Sequence, residues 1–509
     1  MVFRVRGGVK LRYNKELTSG QAVVAMPTPR RLYLPLQQHI GAPAIPVVTI
    51  GDQVLKGQLV AKAAPGLSAP VHASSSGTVV AIEDHVAPHP SGLQQRTIVI
   101  ETDGLDRWID LPPPVTDDFP LQVTPREINS RVAAAGIVGM GGAAFPSAVK
   151  LDLKGRHQLD TLLINGAECE PYLTCDDRLM REEAWAVIDG VRIMAYALEV
   201  QSVIFAIERN KPEALAAIRG AARREPWIQV MALPTRFPMG SERHLVLACT
   251  GRETPARKLT ADIGVVVHNV ATARAVARTV RSGEPLISRV VTVSGRGVRE
   301  PSNVKVPLGT LVEDLLAFCG GLHPVPYKLI GGGPMMGAPL PSVRVPVVKG
   351  TSGVLALTIK EQNDGPESPC IRCASCVSAC PCGLVPVEMA QLVRRGDLQG
   401  ALAIGLQDCV SCGSCSFICP SHIPLAHYFN FAKGQLGALD RDARRQERIR
   451  SLVQARSERT AREAELKKVA AAARKAAKAA AQAPAPAPTS TLALAGGTET
   501  SARATEEST

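Results

Sequence analysis

Cys370-Ile371-Arg372-Cys373-Ala374-Ser375-Cys376-Val377-Ser378-Ala379-Cys380-Pro381 and Cys409-Val410-Ser411-Cys412-Gly413-Ser414-Cys415-Ser416-Phe417-Ile418-Cys419-Pro420 are two copies of one pattern, Cys-x2-Cys-x2-Cys-x3-Cys-Pro. They hold eight of the chain's 13 cysteines. Residues 1–10 already carry Arg4, Arg6 and Lys10, with no uninterrupted apolar core behind them, so no export signal is expected. Thiols kept in a reducing compartment and set this close together bind metal and do not pair as disulfides. Zinc needs two Cys-x2-Cys pairs per ion. A triplet with a distant fourth, repeated twice, suits a cubane better: three thiolates in a tight loop reach three corners, and the fourth is capped from elsewhere.

These are the runs of bacterial ferredoxins, in which the fourth cysteine ligates the cluster of the other run. That resemblance assigns Cys370, Cys373, Cys376 and Cys419 to one [4Fe–4S] cluster, and Cys380, Cys409, Cys412 and Cys415 to a second. The proline after each fourth cysteine ends the local helix. Cys169, Cys175, Cys249, Cys319 and Cys382 are left over and read as buried free thiols.

Upstream of the cysteines, a run of Gly-Gly-Gly-Pro at 331–334 follows short strand-like segments at 289–295 and a helix-like stretch at 310–318. This part, 286–345, resembles the soluble ligand-binding β-grasp domain. Segments of helix and strand character alternate over 113–285, which predicts α/β architecture with a mainly parallel sheet. The first 112 residues are rich in Val, Pro and Gly, with short strands around 51–60, 69–73 and 76–80. They resemble the barrel-sandwich fold of biotinyl and lipoyl carriers. Ser74-Ser75-Ser76-Gly77 stands where a carrier places its modifiable lysine, so a structural module is expected and not a swinging arm.

Within the α/β part, Gly136-Ile137-Val138-Gly139-Met140-Gly141-Gly142-Ala143-Ala144-Phe145-Pro146 leads towards Lys150. Glycines let a backbone approach a phosphate, and a following helix N-terminus can hold its charge. After the strand ending at Ile164 comes Asn165-Gly166-Ala167-Glu168-Cys169-Glu170-Pro171, with two carboxylates where α/β proteins bind ligands, suited to the hydroxyls of a ribose or ribityl chain.

This pair of segments resembles the flavin and NADH site of the flavoprotein subunit of respiratory complex I. The resemblance places Gly139, Gly141, Gly142, Phe145 and Lys150 in a loop that cradles FMN and faces NADH, with Asn165, Glu168 and Glu170 in the second segment. Glu242, in Phe237-Pro238-Met239-Gly240-Ser241-Glu242, and Asn269 with Thr272, in Asn269-Val270-Ala271-Thr272, fall in two further flavin-site stretches. Met140 and Ala144 stand where the complex I pattern has Arg and Gly. No nucleophile constellation is visible and no catalytic side chain is assigned.

The order of parts, with Gln38-His39-Ile40-Gly41 and Gly331-Gly332-Gly333-Pro334-Met335-Met336-Gly337, resembles the C subunit of the Rnf/Rsx ion-translocating electron transport complex up to about residue 435. The resemblance implies a multidomain α/β and β protein: a barrel-sandwich over 1–112, a Rossmann-like FMN/NADH domain over 113–285, the β-grasp domain over 286–345 and an α-helical two-cluster ferredoxin domain over 346–435. It implies an NADH-linked oxidoreductase subunit, peripheral on the cytoplasmic face of the bacterial inner membrane. Its partners would be the membrane and peripheral subunits, a ferredoxin-like iron–sulfur subunit among them. A cobalamin reductase of microcompartment type shares this architecture. A hydrogenase or formate dehydrogenase subunit would not explain the barrel-sandwich, and an electron wire with an empty α/β scaffold stands as the non-enzymatic alternative.

The net charge of +12 raises nucleic acid as a partner, but residues 441–478 alone hold thirteen Lys or Arg against five Asp or Glu. The charge therefore describes a tail over 436–509, helical and then disordered, that is suited to a membrane surface or an acidic partner. Aromatics at 4% further disfavour a base-stacking role, and no partner nucleic acid is expected. The most apolar stretch, 187–207, is broken by Asp189, Arg192, Glu199 and Gln201 and reads as a core helix and strand, not a membrane span.

Overall fold

The parallel strands Thr161–Gly166, Ser202–Glu208, Ile228–Leu233 and Val265–Asn269 lie in the spatial order third, second, first, fourth. The first two are apolar runs buried almost throughout, as the interior of a helix-covered parallel sheet requires. Helices Ala184–Leu198 and Val270–Ser282 pack together, and a side chain at Gly190 would sit 1.8 Å from the Ala273 carbonyl. The strand order reverses between the first and fourth strands, whose carboxyl ends meet where Asn165 pairs in register with Asn269. In α/β sheets such a reversal is where a ligand crevice is expected.

The computed structural model describes residues 2–89, 91–116, 121–325, 327–362 and 365–482. The Ala-Pro repeats at 483–488 and the Ser/Thr-rich end, expected to be disordered, lie outside the described residues. The barrel-sandwich module comprises a sheet of Arg31–Pro35, Gln94–Thr102, Gly77–Val86 and Gln53–Val54, and a second of Ile45–Pro46, Leu59–Lys62 and Val71–His72. The two share one core through Leu32, Val60, Val71, Val79 and Ile98. Ser75 and Ser76 are buried and donate to Asp106 and Asp103 at 2.5 and 2.7 Å. The turn of a carrier's lysine is thus folded into this module.

The β-grasp part is a six-stranded sheet in the order Val24–Ala25, Ser302–Pro307, Ser288–Ser294, Gly353–Thr358, Tyr327–Gly331, Ala338–Pro339. It runs past the boundary expected at 345. Gly353–Thr358 is buried in its middle, parallel to one neighbour and antiparallel to the other. That four-residue apolar core of 354–357 shows no alternation and follows Pro341 and Pro346, and it falls within the stretch expected to belong to the two-cluster domain.

The described residues up to Gly434 form one compact unit and those from Gln435 to Gln482 a second. The helix that ends at Ala481 exposes Ile449, Leu452, Val453, Leu466 and Val469, too sparse for a broad apolar face. Among the described residues no helix is long and apolar enough to cross a membrane.

Candidate functional site

Gly136, in the left-handed region at φ 66°, turns the chain out of helix Pro125–Ala134 and into the glycine loop. The loop closes on itself: the Gly139 N–H donates to the Phe145 carbonyl at 2.7 Å, and the Ala144 N–H to the Gly139 carbonyl at 3.1 Å. Its tip, 141–143, is exposed. Gly142 has φ 107° and, among the described residues beyond its chain neighbours, no heavy atom within 4 Å of where a Cβ would lie, so the tip is an open cradle. The loop is anchored to the fourth strand's helix, because Met140 N–H donates to Thr272 Oγ1 at 2.9 Å. Gly141 approaches the Asn269 side chain, and Asn269 Oδ1 caps that helix by accepting from Ala271 N–H at 2.8 Å. Lys150, on the short helix Ser147–Leu151, donates to the Val267 carbonyl at 3.1 Å and lies 3.3 Å from both Glu242 oxygens. Asn165 Nδ2 donates to the Gly240 carbonyl at 2.8 Å. Four segments distant in sequence therefore converge on the carboxyl ends of the first and fourth strands. His268, buried there with Nε2 unpartnered, is held neutral: burial and then Lys150 push it down to about 3.

The two carboxylates of the second segment both accept from backbone N–H groups. Glu168 (φ 44°) and Tyr172 (φ 66°) turn the chain back on itself after the strand. Glu168 then accepts from the N–H groups of Asp176 and Asp177 at 2.7 and 3.2 Å, at the amino end of helix Cys175–Glu182. Glu170 accepts from Met335 and Met336 N–H at 3.0 and 2.8 Å, in the Gly-rich turn of the β-grasp sheet. Burial raises Glu168 to about 8 and Glu170 to about 7, the latter held back by its two N–H donors.

Residues without any motif complete the site. Lys15 Nζ donates to the carbonyls of Glu168, Glu170 and Leu173 at 2.9, 3.0 and 2.5 Å, fixing that loop from a distant part of the sequence. Lys211 Nζ donates to the Ala167 carbonyl at 2.6 Å and lies 3.5 Å from the fully buried Glu208. The one local signal is Glu208-Arg209-Asn210-Lys211-Pro212 at a strand's carboxyl end.

In the cysteine-rich part, Cys380, Cys409, Cys412 and Cys415 line one cavity with Leu384, Met389 and Phe429. Cys419 and the first run are brought together by Ser421, which donates to the Pro369 carbonyl at 3.0 Å and accepts at its own carbonyl from Ser368 N–H at 3.0 Å. Backbone N–H groups of Arg372, Leu384 and Ser411 reach the sulfurs of Cys370, Cys380 and Cys409, each at 3.4 Å. Such bonds stabilise cluster thiolates. An all-sulfur donor set with N–H···S bonds fits an iron–sulfur cubane and not a hard, oxygen-seeking cation. Cys370 and Cys373 are exposed, whereas Cys412 and Cys415 are buried. Of the leftover thiols, Cys169, Cys175, Cys249 and Cys319 are buried as expected, while Cys382 is half-buried in the cavity wall.

Matches to family models follow the same divisions. Residues 3–105 match the RnfC barrel sandwich hybrid domain, 132–278 the Nuo51 FMN-binding domain, 290–339 the SLBB domain and 369–423 the 4Fe-4S dicluster domain. The C subunit of an ion-translocating oxidoreductase complex from Rhodobacter capsulatus is 53% identical, over 85% of this chain and 83% of its own. The C subunit of the proton-translocating ferredoxin:NAD(+) oxidoreductase complex of Clostridium ljungdahlii is 44% identical, over 78% of this chain and 86% of its own. The C subunit of an ion-translocating oxidoreductase complex from Pseudomonas aeruginosa is 42% identical, over 84% of this chain and 55% of its own. With four domain matches in this order and relatives aligned along most of this chain, the chain belongs to the family of C subunits of ion-translocating oxidoreductase complexes.

Proposed function

We propose that this chain passes electrons between NADH and two [4Fe–4S] clusters through FMN, as a peripheral subunit of a membrane complex that couples electron transfer between NADH and ferredoxin to ion translocation. FMN supplies the conversion between a two-electron hydride and one-electron clusters. The observation that carries the reading is a continuous apolar contact between the two sites. Cys169 of the flavin-site loop, Phe237, Val9 and Ala379 pack in one cluster with Cys412, and Met335 packs against it.

In this reading the parallel sheet is a Rossmann-like half with its ligand crevice at the strand reversal. Gly139, Gly141, Gly142 and Phe145 cradle the flavin. Lys150 and the amino end of helix Val270–Ser282, with Asn269 and Thr272, meet its phosphate charge. Asn165 and Glu242 complete the wall, and Glu168 and Glu170 hold the loop behind it. The buried Cys409 cluster receives electrons from the flavin side, and the exposed Cys370 cluster hands them to a ferredoxin-like subunit on the cytoplasmic face. The domains divide near 112, 285 and 435, with the β-grasp unit extended to 358.

Anaerobic titration of the reconstituted protein with NADH tests this. Flavin absorbance should bleach first and cluster absorbance after it. Retained flavin that NADH never bleaches would remove the chain as the entry site.

The basic helix is read as an arm for anionic headgroups or an acidic partner. Each Lys or Arg near such a surface is worth about 1 kcal/mol and fades with salt. Truncation after Leu439 should leave both clusters and NADH oxidation intact. Membrane association should then be stripped at lower salt. Unchanged association across a salt series would leave the helix a solvated extension.

A further inference from the structure

The turn 331–337 touches two sites at once. On one side the Glu170 carboxylate spans the N–H groups of Met335 and Met336, and a Cβ at Gly333 would lie 2.2 Å from Glu170 Oε2. On the other side the Met335 carbonyl stands 2.8 Å from where a Cβ at Gly413 would be, inside the second cysteine run. The turn braces itself, with Gly337 N–H donating to the Gly333 carbonyl at 2.8 Å. Met335 thereby packs against the apolar cluster of Cys169, Phe237 and Cys412. Lys15 fixes the backbone of Glu170 from behind. Each oxygen of the Glu170 carboxylate thus accepts a backbone N–H from the β-grasp turn.

We infer that Glu170 is a positioning residue that locks the 331–337 turn between the flavin-site loop and the second cluster loop, and so sets the rate at which electrons pass between them. This rests on the electron path proposed above. Electron transfer rates fall steeply with gaps between packed groups, and Met335 fills this one only while both N–H groups are held.

Glu170→Gln keeps the side chain's shape but offers one acceptor oxygen for two N–H donors. In the reconstituted holoprotein, the Met335 and Met336 amides should exchange with solvent about tenfold faster, the expected result of losing a buried hydrogen bond. Flavin bleaching by NADH should keep its rate, while the following cluster bleaching slows by a similar factor. Gly333→Ala, whose Cβ would lie 2.2 Å from Glu170 Oε2, should force the turn and the carboxylate apart and give the same split with the carboxylate itself kept. If Glu170→Gln slows flavin bleaching itself and leaves amide exchange unchanged, Glu170 binds the nucleotide or flavin and the positioning role is wrong. Unchanged rates at both stages would overturn it equally. Failure of the unsubstituted protein to bleach its flavin would instead defeat the electron-entry reading, and amide exchange alone would then decide the Glu170 lock.

Discussion

Cys419→Ala protein, prepared anaerobically, is expected to lose the cluster of Cys370, Cys373 and Cys376 and to keep the other. The unsubstituted protein should hold about eight iron and eight sulfide per chain, and the variant about four of each. The reason is the crossed ligation that the two-run pattern implies. Cys419 lies in the second run, but Ser421, two residues on, is tied to Pro369 and Ser368 beside Cys370. Cys380 lies in the first run, yet it lines the cavity of Cys409, Cys412 and Cys415. Cys380→Ala should therefore do the converse and remove the buried cluster. Iron analysis gives the count, and electron paramagnetic resonance of the reduced variants tells which cluster survives. The surviving signal in Cys419→Ala should be the one less open to solvent-borne oxidants, since Cys412 and Cys415 are buried and Cys370 and Cys373 are not. Each variant losing the cluster of its own run would show uncrossed ligation.

How far the sequence can be read depends on whether a function needs local spacing. The proposed cluster ligands are legible because three corners of a cubane must come from one tight loop, so their spacing survives in one dimension. The glycine loop is legible for a similar reason: close backbone approach needs Gly139, Gly141 and Gly142 within four positions. Glu170 shows the limit. Its place at a strand's carboxyl end is legible, but its partners are backbone amides 165 residues away, and backbone amides carry no sequence signature. Lys15 is invisible for the same reason, since it binds three carbonyls. The strand Gly353–Thr358 stays hidden because strand propensity is mostly a matter of neighbours. Only the sheet edges left by Ser288–Ser294 and Tyr327–Gly331 make a strand of that short run.

Gly142→Val should empty the flavin site while both clusters remain. The position has φ 107°, where a β-branched side chain is strained by about 1–2 kcal/mol or more. Strain alone would disturb the loop modestly, because Gly139 and Phe145 still close it by their own hydrogen bond. The larger effect comes from direction. Among the described residues no heavy atom beyond its chain neighbours lies within 4 Å of the Cβ position, so the added side chain projects into the open cradle where the flavin is proposed to lie. Flavin released on denaturation should fall to a small fraction of the unsubstituted level, and about eight iron should stay bound. Gly141→Ala is the matched control. Its Cβ would meet Asn269 at 3.4 Å and face away from the open side, so it should keep more of the flavin than Gly142→Val does. Full flavin content in Gly142→Val would mean that the open side of the loop faces bulk water and that the flavin is held elsewhere. Loss of flavin together with iron would mean that the valine unfolds the unit, and the loop would then have no separable role in binding.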